Sequence, residues 1–194
     1  PATRPAGLRA GAGDNARLLD FAEGEVERMK TAGFLHDVGE LAGPRGILEK
    51  EAKLDFAEFS VIREHTFLTY NSLKPIRGFE TINEWASFHH ETLQGSGYPF
   101  HIEAGALSLG SRVMKVADIF TALTEDRPYR KGMEGEEVVE TFRDFIDAKS
   151  VDPEVFNVLL DNYDRVDGVR EESQRKAARK YEEFLEEVGE NSSG

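Results

Sequence analysis

The chain has 194 residues, 39% hydrophobic and 31% charged, enough for one sizeable core or one domain with a tail. Its formal net charge of −13 excludes a protein that coats nucleic acid, because duplex binding needs Lys and Arg against the phosphates, so no DNA or RNA duplex is expected as a partner. The lack of cysteine excludes disulfides, thiolate chemistry and cysteine zinc sites, and no apolar run approaches the roughly 20 residues of a membrane span. With no signal-peptide pattern, a reducing, cytoplasmic setting is the expectation.

Residues 1–15, PATRPAGLRAGAGDN, are rich in Pro, Gly and Ala without a sustained period, and read as a flexible or irregular segment. From Ala16 to about Leu35, the residues Leu18, Phe21, Ala22, Val26 and Met29 recur at steps of three and four, as on one helix face. Gly39 and the segment AGPRG break that pattern. DFAEFSVIREHTFLTYNSL opens with Asp55 as N-cap and Glu58 in capping-box position, and Phe59, Ile62 and Phe67 suit a helix. TINEWASFHH reads as another helix that ends at the turn of Gly95, Gly97 and Pro99. LGSRVMKVADIFTALTED is a strongly apolar, buried helix. Helices follow at about 134–148 and about 153–162, the latter with Pro153 in its first turn. In EESQRKAARKYEEFLEEV, the residues Ala177, Tyr181, Phe184, Leu185 and Val188 form one stripe, which predicts an amphipathic helix against the domain, a homodimer mate or a protein partner. No strand-like alternation and no repeat is present, so the fold class is all-α. The chain divides into an irregular segment 1–15, a helical-bundle domain 16–165, and a C-terminal helix and tail 166–194.

The chemistry-bearing residues fall at helix ends or inside these helices: His36 and Asp37 in FLHDVGE, His65 in REHTF, His89 and His90 in FHHET, and Asp118 in KVADIF. Imidazole with carboxylate is a ligand mix that suits Fe, Mn, Zn and Ni. Adjacent residues on a helix point about 100° apart, so doublets can serve two neighbouring metals. Asp118, between Val116, Ala117, Ile119 and Phe120, needs a partner if buried. Blander readings exist for each residue singly. A lone His65 is more often a partly exposed polar residue, double histidines also occur on surfaces, and Gly97-Tyr98-Pro99 alone is a simple loop. His101 reads as a surface residue.

Taken in order, LHDVGE, His65, HHETLQGSGYP and RVMKVADIFTALTEDRPYRKGM resemble the HD-GYP subgroup of the HD phosphohydrolase superfamily, from about Ala32 to Met133 and more loosely to Leu160. The resemblance implies a single helical HD-type domain with a metal centre of roughly two or three divalent transition-metal ions, iron or manganese, between its helices. It implies hydrolysis of cyclic di-GMP to linear pGpG and onward to GMP, or action on cyclic GMP-AMP. By the same resemblance His36, Asp37, His65, His89, His90 and Asp118 are metal ligands, with Asp37 the bridge. Gly97, Tyr98 and Pro99 form the lip of the pocket, and Arg127 and Lys131 contact substrate phosphate. Two metals there would supply the nucleophile, stabilise phosphodiester charge and draw an anion to an acidic protein.

The sequence departs from the family pattern in three places. Glu40 stands where the family's His-Asp-x-Gly-Lys motif has lysine, and a carboxylate there would repel phosphate or recruit a metal. The region PATRPAGLRA offers no His or Glu to match a further upstream ligand, so the matching helix reads as absent, truncated or rebuilt. Leu93 replaces the usual Trp before the turn. These departures leave open a regulatory module that binds cyclic dinucleotide or a protein without efficient catalysis, and they place Glu40 beside Asp37 and Tyr98 among the residues that set activity.

Overall fold

The computed structural model describes residues 4–48, 50, 53, 55–126 and 131–191. Among these there are helices and no β-strand, in agreement with the all-α reading; Gln94 and Glu103 form an isolated bridge. The helices are α1 (Arg4–Leu18), α2 (Glu23–Leu35), α3 (Arg45–Leu48), α4 (Phe56–Leu73), α5 (Glu80–Ser87), α6 (Leu109–Thr124), α7 (Glu136–Asp147), α8 (Pro153–Asp161) and α9 (Tyr163–Asn191), with a 3-10 turn at Val38–Ala42 after α2.

Helix α6 runs through the middle of the bundle. It buries Val113, Met114, Val116, Ala117 and Phe120, and packs against α1, α2, α5 and α8. Each large apolar side chain fully buried here contributes about 1.5–3 kcal/mol. Phe142 of α7 stacks on Phe156 of α8 with ring centroids 4.3 Å apart, closing the core at its other end. The expected capping box of α4 is present: Glu58 N–H donates to Asp55 at 2.8 Å, and Asp55 N–H donates to the Glu58 carboxylate at 2.8 Å. Asp152 caps α8 and also receives Arg112 of α6 at 3.0 Å, tying the two helices together.

Three expectations are corrected. Residues 4–18 are not irregular but form α1, whose Leu8, Ala12 and Ala16 are buried against the core. Gly and Ala are poor signals of an amphipathic stripe, yet their small side chains let α1 lie close to α2 and α9, and packing overrides propensity. The single helix expected from Ala16 to Leu35 is broken between α1 and α2, where Asp20 takes a positive φ of 59° and reverses the chain. The boundary placed at 165/166 falls inside α9. Arg165 holds Asp14 of α1 through two contacts of 2.8 and 2.9 Å, and Val166 belongs to the core, so the first half of α9 is part of the domain. No described helix is long and apolar enough to cross a membrane.

Candidate metal centre

His36 ends α2 as its C-cap, and Asp37 leads into the 3-10 turn. That turn lies directly against α4. A Cβ on Gly39 would sit 2.1 Å from the His65 carbonyl oxygen, so only glycine permits the approach. Thr69 of α4, fully buried, fastens the contact: its hydroxyl donates to the His36 carbonyl at 3.0 Å and accepts from Gly39 N–H at 3.0 Å. The second doublet follows α5, whose C-cap is Phe88, and Asp118 projects from the middle of α6. Both doublets therefore stand where a helix ends, not within one.

The side chains converge. His36 Nε2 lies 2.8 Å from Asp37 Oδ2 and 3.7 Å from Asp118 Oδ1. Asp37 Oδ1 lies 3.5 Å from His65 Nε2 and 3.9 Å from His89 Nε2. Within each of two overlapping groups, His36–Asp37–His89 and His65–His89–His90, one ligand atom per residue lies within 4.8 Å of the others. All six residues expected as ligands are thus brought together, and the two oxygens of Asp37 face different histidines. His101 is not among them; it is exposed and takes a positive φ of 56°.

The backbone orients three of the rings alike. Nδ1 of His36, His65 and His89 lies 3.0, 2.7 and 2.7 Å from the carbonyl oxygens of Gly33, Ile62 and Ala86, each three residues earlier. With Nδ1–H donating there, the Nε2 lone pair of each ring points inward, as metal ligation requires. Burial holds His89 well below the usual histidine range, with the neighbouring imidazoles acting in the same direction. Burial pulls His90 down to about 4, against the opposing pull of Asp118. His89 and His90 are therefore neutral near pH 7, the state in which imidazole binds a metal. Donor type, tautomer and convergence all fit divalent transition-metal ions.

Beside the histidines is the Gly97-Tyr98-Pro99 lip. A Cβ on Gly97 would meet the backbone of Glu91 at 2.4 Å, so the turn folds tightly onto the residue after the histidine pair. Tyr98 stacks on His90 with centroids 4.8 Å apart, and the Tyr98–Pro99 peptide is cis. Burial raises the Tyr98 phenol, with Arg63 opposing, so it remains a hydroxyl donor. Glu40 lies in the 3-10 turn and, with His65, lines a small hollow between that turn and α4. Lys131 is exposed; Arg127 lies outside the described residues.

Several residues at this site escaped the sequence reading. Glu91 is fully buried and its carboxylate accepts from Phe100 N–H at 2.7 Å and Ile102 N–H at 3.0 Å, holding the far side of the lip. An acidic residue directly after two histidines and before a glycine turn was the available signal. Arg63 places its guanidinium 4.3 Å from the Tyr98 ring centroid, a contact between separate elements that no local pattern reveals. Lys115, one helical turn before Asp118, is also buried, and burial pushes it down to about 8 against the pull of Asp118 and Glu91. A lysine inside an apolar helical run was its signal. Where an upstream ligand was sought, α1 presents Asp14 instead, and Arg165 engages both of its oxygens.

An HD domain family model matches residues 2–155. The chain is 39% identical over 140 residues to 3'3'-cGAMP-specific phosphodiesterase 1 of Vibrio cholerae, covering 71% of this chain and 32% of that protein. It is 34% identical over 146 residues to a cyclic di-GMP phosphodiesterase of Pseudomonas aeruginosa, covering 75% of this chain and 35% of the relative. A cyclic di-GMP phosphodiesterase of Thermotoga maritima is 31% identical over 151 residues, covering 75% and 40%. The matched segments are thus about a third of the length of these curated relatives. With its motifs in HD-GYP order and their residues gathered at one centre, the chain belongs to the HD domain family, in its HD-GYP form.

Proposed function

We propose that this chain is the hydrolytic unit of a metal-dependent phosphodiesterase for cyclic dinucleotides, converting cyclic di-GMP to linear pGpG and onward to GMP. The observation that carries the reading is the Asp37 carboxylate, whose Oδ2 faces His36 at 2.8 Å while Oδ1 faces His65 at 3.5 Å, an arrangement suited to bridging two ions. The names of the relatives support the substrate class. His36, Asp37, His65, His89, His90 and Asp118 would hold two or three divalent ions, iron or manganese. Bound there, such ions supply Lewis-acid polarisation of the phosphodiester and lower the pKa of water to about 7.

The chain's own groups do the rest. Neutral Tyr98 donates a hydrogen bond at the lip, and Arg63, stacked on its ring, sets a guanidinium beside the same opening. Lys115 brings positive charge to the Asp118 side of the centre. Arg127 and Lys131, assigned by the family resemblance alone, would add further phosphate contacts. Metals and these cations together answer how a chain of net charge −13 receives an anionic substrate.

Glu40 favours a second reading, in which the domain binds cyclic dinucleotide or a protein partner as a regulatory module with little catalysis. Metal-loaded protein is incubated with cyclic di-GMP and with 3'3'-cGAMP, products are resolved by chromatography, and binding is measured by calorimetry. Hydrolysis that disappears in Asp37→Ala supports the proposal. Binding without turnover moves the protein to the second reading, and the absence of both overturns each.

A further inference from the structure

In the core-facing run of α6, residues 113–120, the charged side chains are Lys115 and Asp118, one helical turn apart and on the same side. Lys115 is only 8% exposed, yet its ammonium makes no hydrogen bond and no ion pair among the described residues. Lysine is almost never buried unpaired, because a cation without a partner loses its hydration for nothing in return. The nitrogen is not sealed in, however. Among the described residues, the enclosed side-chain polar atoms without a partner belong to Asn15, His36 and Gln174, so the tip of Lys115 reaches an opening.

The groups that act on that tip identify the opening. The carboxylates of Asp118 and Glu91 attract the ammonium, and the ammonium in turn opposes protonation of His90. The tip thus lies at the histidine centre, between Asp118 and the lip. Both carboxylates are engaged elsewhere. The two oxygens of Glu91 accept from Phe100 N–H at 2.7 Å and from Ile102 N–H at 3.0 Å, and Asp118 Oδ1 faces His36 Nε2 at 3.7 Å. A cation kept at a cost to folding, open at its tip and beside such a centre, is arranged for an anion that arrives from outside.

We propose that Lys115 is a phosphate-contacting residue, whose ammonium donates to a non-bridging oxygen of the phosphodiester on the Asp118 side of the centre. The identity of the diester rests on the proposed function, whereas the contact itself needs only a phosphate anion. Lysine suits the place: a compact ammonium on a flexible stem reaches between two carboxylates without the fork geometry that arginine demands.

Metal-loaded parent and Lys115→Met are titrated with inorganic phosphate by calorimetry, and metal content, Tm and cyclic di-GMP turnover are measured on the same preparations. The methionine variant, similar in size and uncharged, should keep the parent's metal content and bind inorganic phosphate ~10- to 100-fold more weakly. Equal phosphate affinity overturns the proposal. So does a fall in phosphate affinity that only follows a fall in bound metal, the mark of a structural counter-charge for Asp118 and Glu91. If the variant does not fold, the parent decides: a crystal structure with inorganic phosphate should place a phosphate oxygen about 3 Å from Lys115 Nζ, and a phosphate seated away from it overturns the proposal. The two readings fail separately. Weakened phosphate binding in the variant, with a parent that leaves cyclic di-GMP intact, upholds the Lys115 contact and rejects the hydrolytic reading. Turnover by the parent with equal phosphate affinity in both proteins does the reverse.

Discussion

The histidine centre and the distal half of α9 invert the ordinary partition of side chains in opposite directions. At the centre, imidazoles and carboxylates are buried: His36 is 0% exposed, His89 1% and Asp118 5%. On α9, aromatic and branched aliphatic side chains stand in water. The first region costs folding energy, because buried polar groups lose hydration. The second forgoes folding energy that burial would supply. They differ in how firmly they are held. The histidines are fixed by carbonyls at the ends of α2 and α5, by Thr69 and by the Glu91-held lip, whereas the α9 stripe stands exposed. A site that must meet ions at fixed distances is preorganised by its own chain.

The largest expected effect strikes the centre alone. Asp37→Ala removes both oxygens that face the histidine groups, so bound metal and hydrolysis should fall together, beyond the ~10–100-fold cost typical of outer-shell changes. Elemental analysis and turnover on one preparation check this, and full occupancy in the variant would refute the bridging role. Glu91→Ala tests how the lip is held. It strips two backbone N–H groups of a buried acceptor and should cost about 3 kcal/mol of stability in urea unfolding. A loss no larger than that of an exposed glutamate would show that Glu91 does not anchor the lip.

A pH test separates the two regions further. In metal-free protein, burial pulls His90 from the usual histidine value of about 6.5 to about 4, and His89 is also depressed. Between these values the unfolded chain binds more protons than the folded one, so stability rises with pH across the window. Acidification from about pH 6.5 towards 4 should therefore lower the Tm of chelator-treated protein, and metal should raise the Tm at pH 7 by mass action. A flat Tm in calorimetry through that range contradicts neutral, buried histidines.

Glu40→Lys is a smaller and sharper probe. Near a bound phosphate, a carboxylate at roughly 5 Å opposes binding by about 1–3 kcal/mol, so the lysine variant should turn over cyclic di-GMP ~5- to 150-fold faster. If metal content and turnover both drop, Glu40 instead serves the ions. His101→Ala sits at the bottom of the scale, with metal content and activity both unchanged; a large loss of either would extend the centre to a residue the structure leaves outside it.

The difference between the regions also explains what the sequence could reveal. The candidate ligands were legible because their types suit a metal and because their order along the chain, His-Asp, His, His-His and Asp, resembles that of a known family. The helices α4, α6, α7 and α8 were legible from the Asp55–Glu58 capping box, the apolar run of residues 109–124 and the position of Pro153. Helix α1 was not, since Gly and Ala give no period and its helicity comes from contacts with α2 and α9. Glu91 and Arg63 were missed because their roles depend on the backbone of Phe100 and Ile102 and on the ring of Tyr98, which tertiary folding alone brings near.

The metal content of the purified chain tests the central claim most directly. After expression with iron and manganese supplied, elemental analysis should give about two or more transition-metal ions per folded chain, consistent with a centre in which one carboxylate spans two ions. A well-folded protein that holds fewer than about one ion per chain under those conditions would contradict the account.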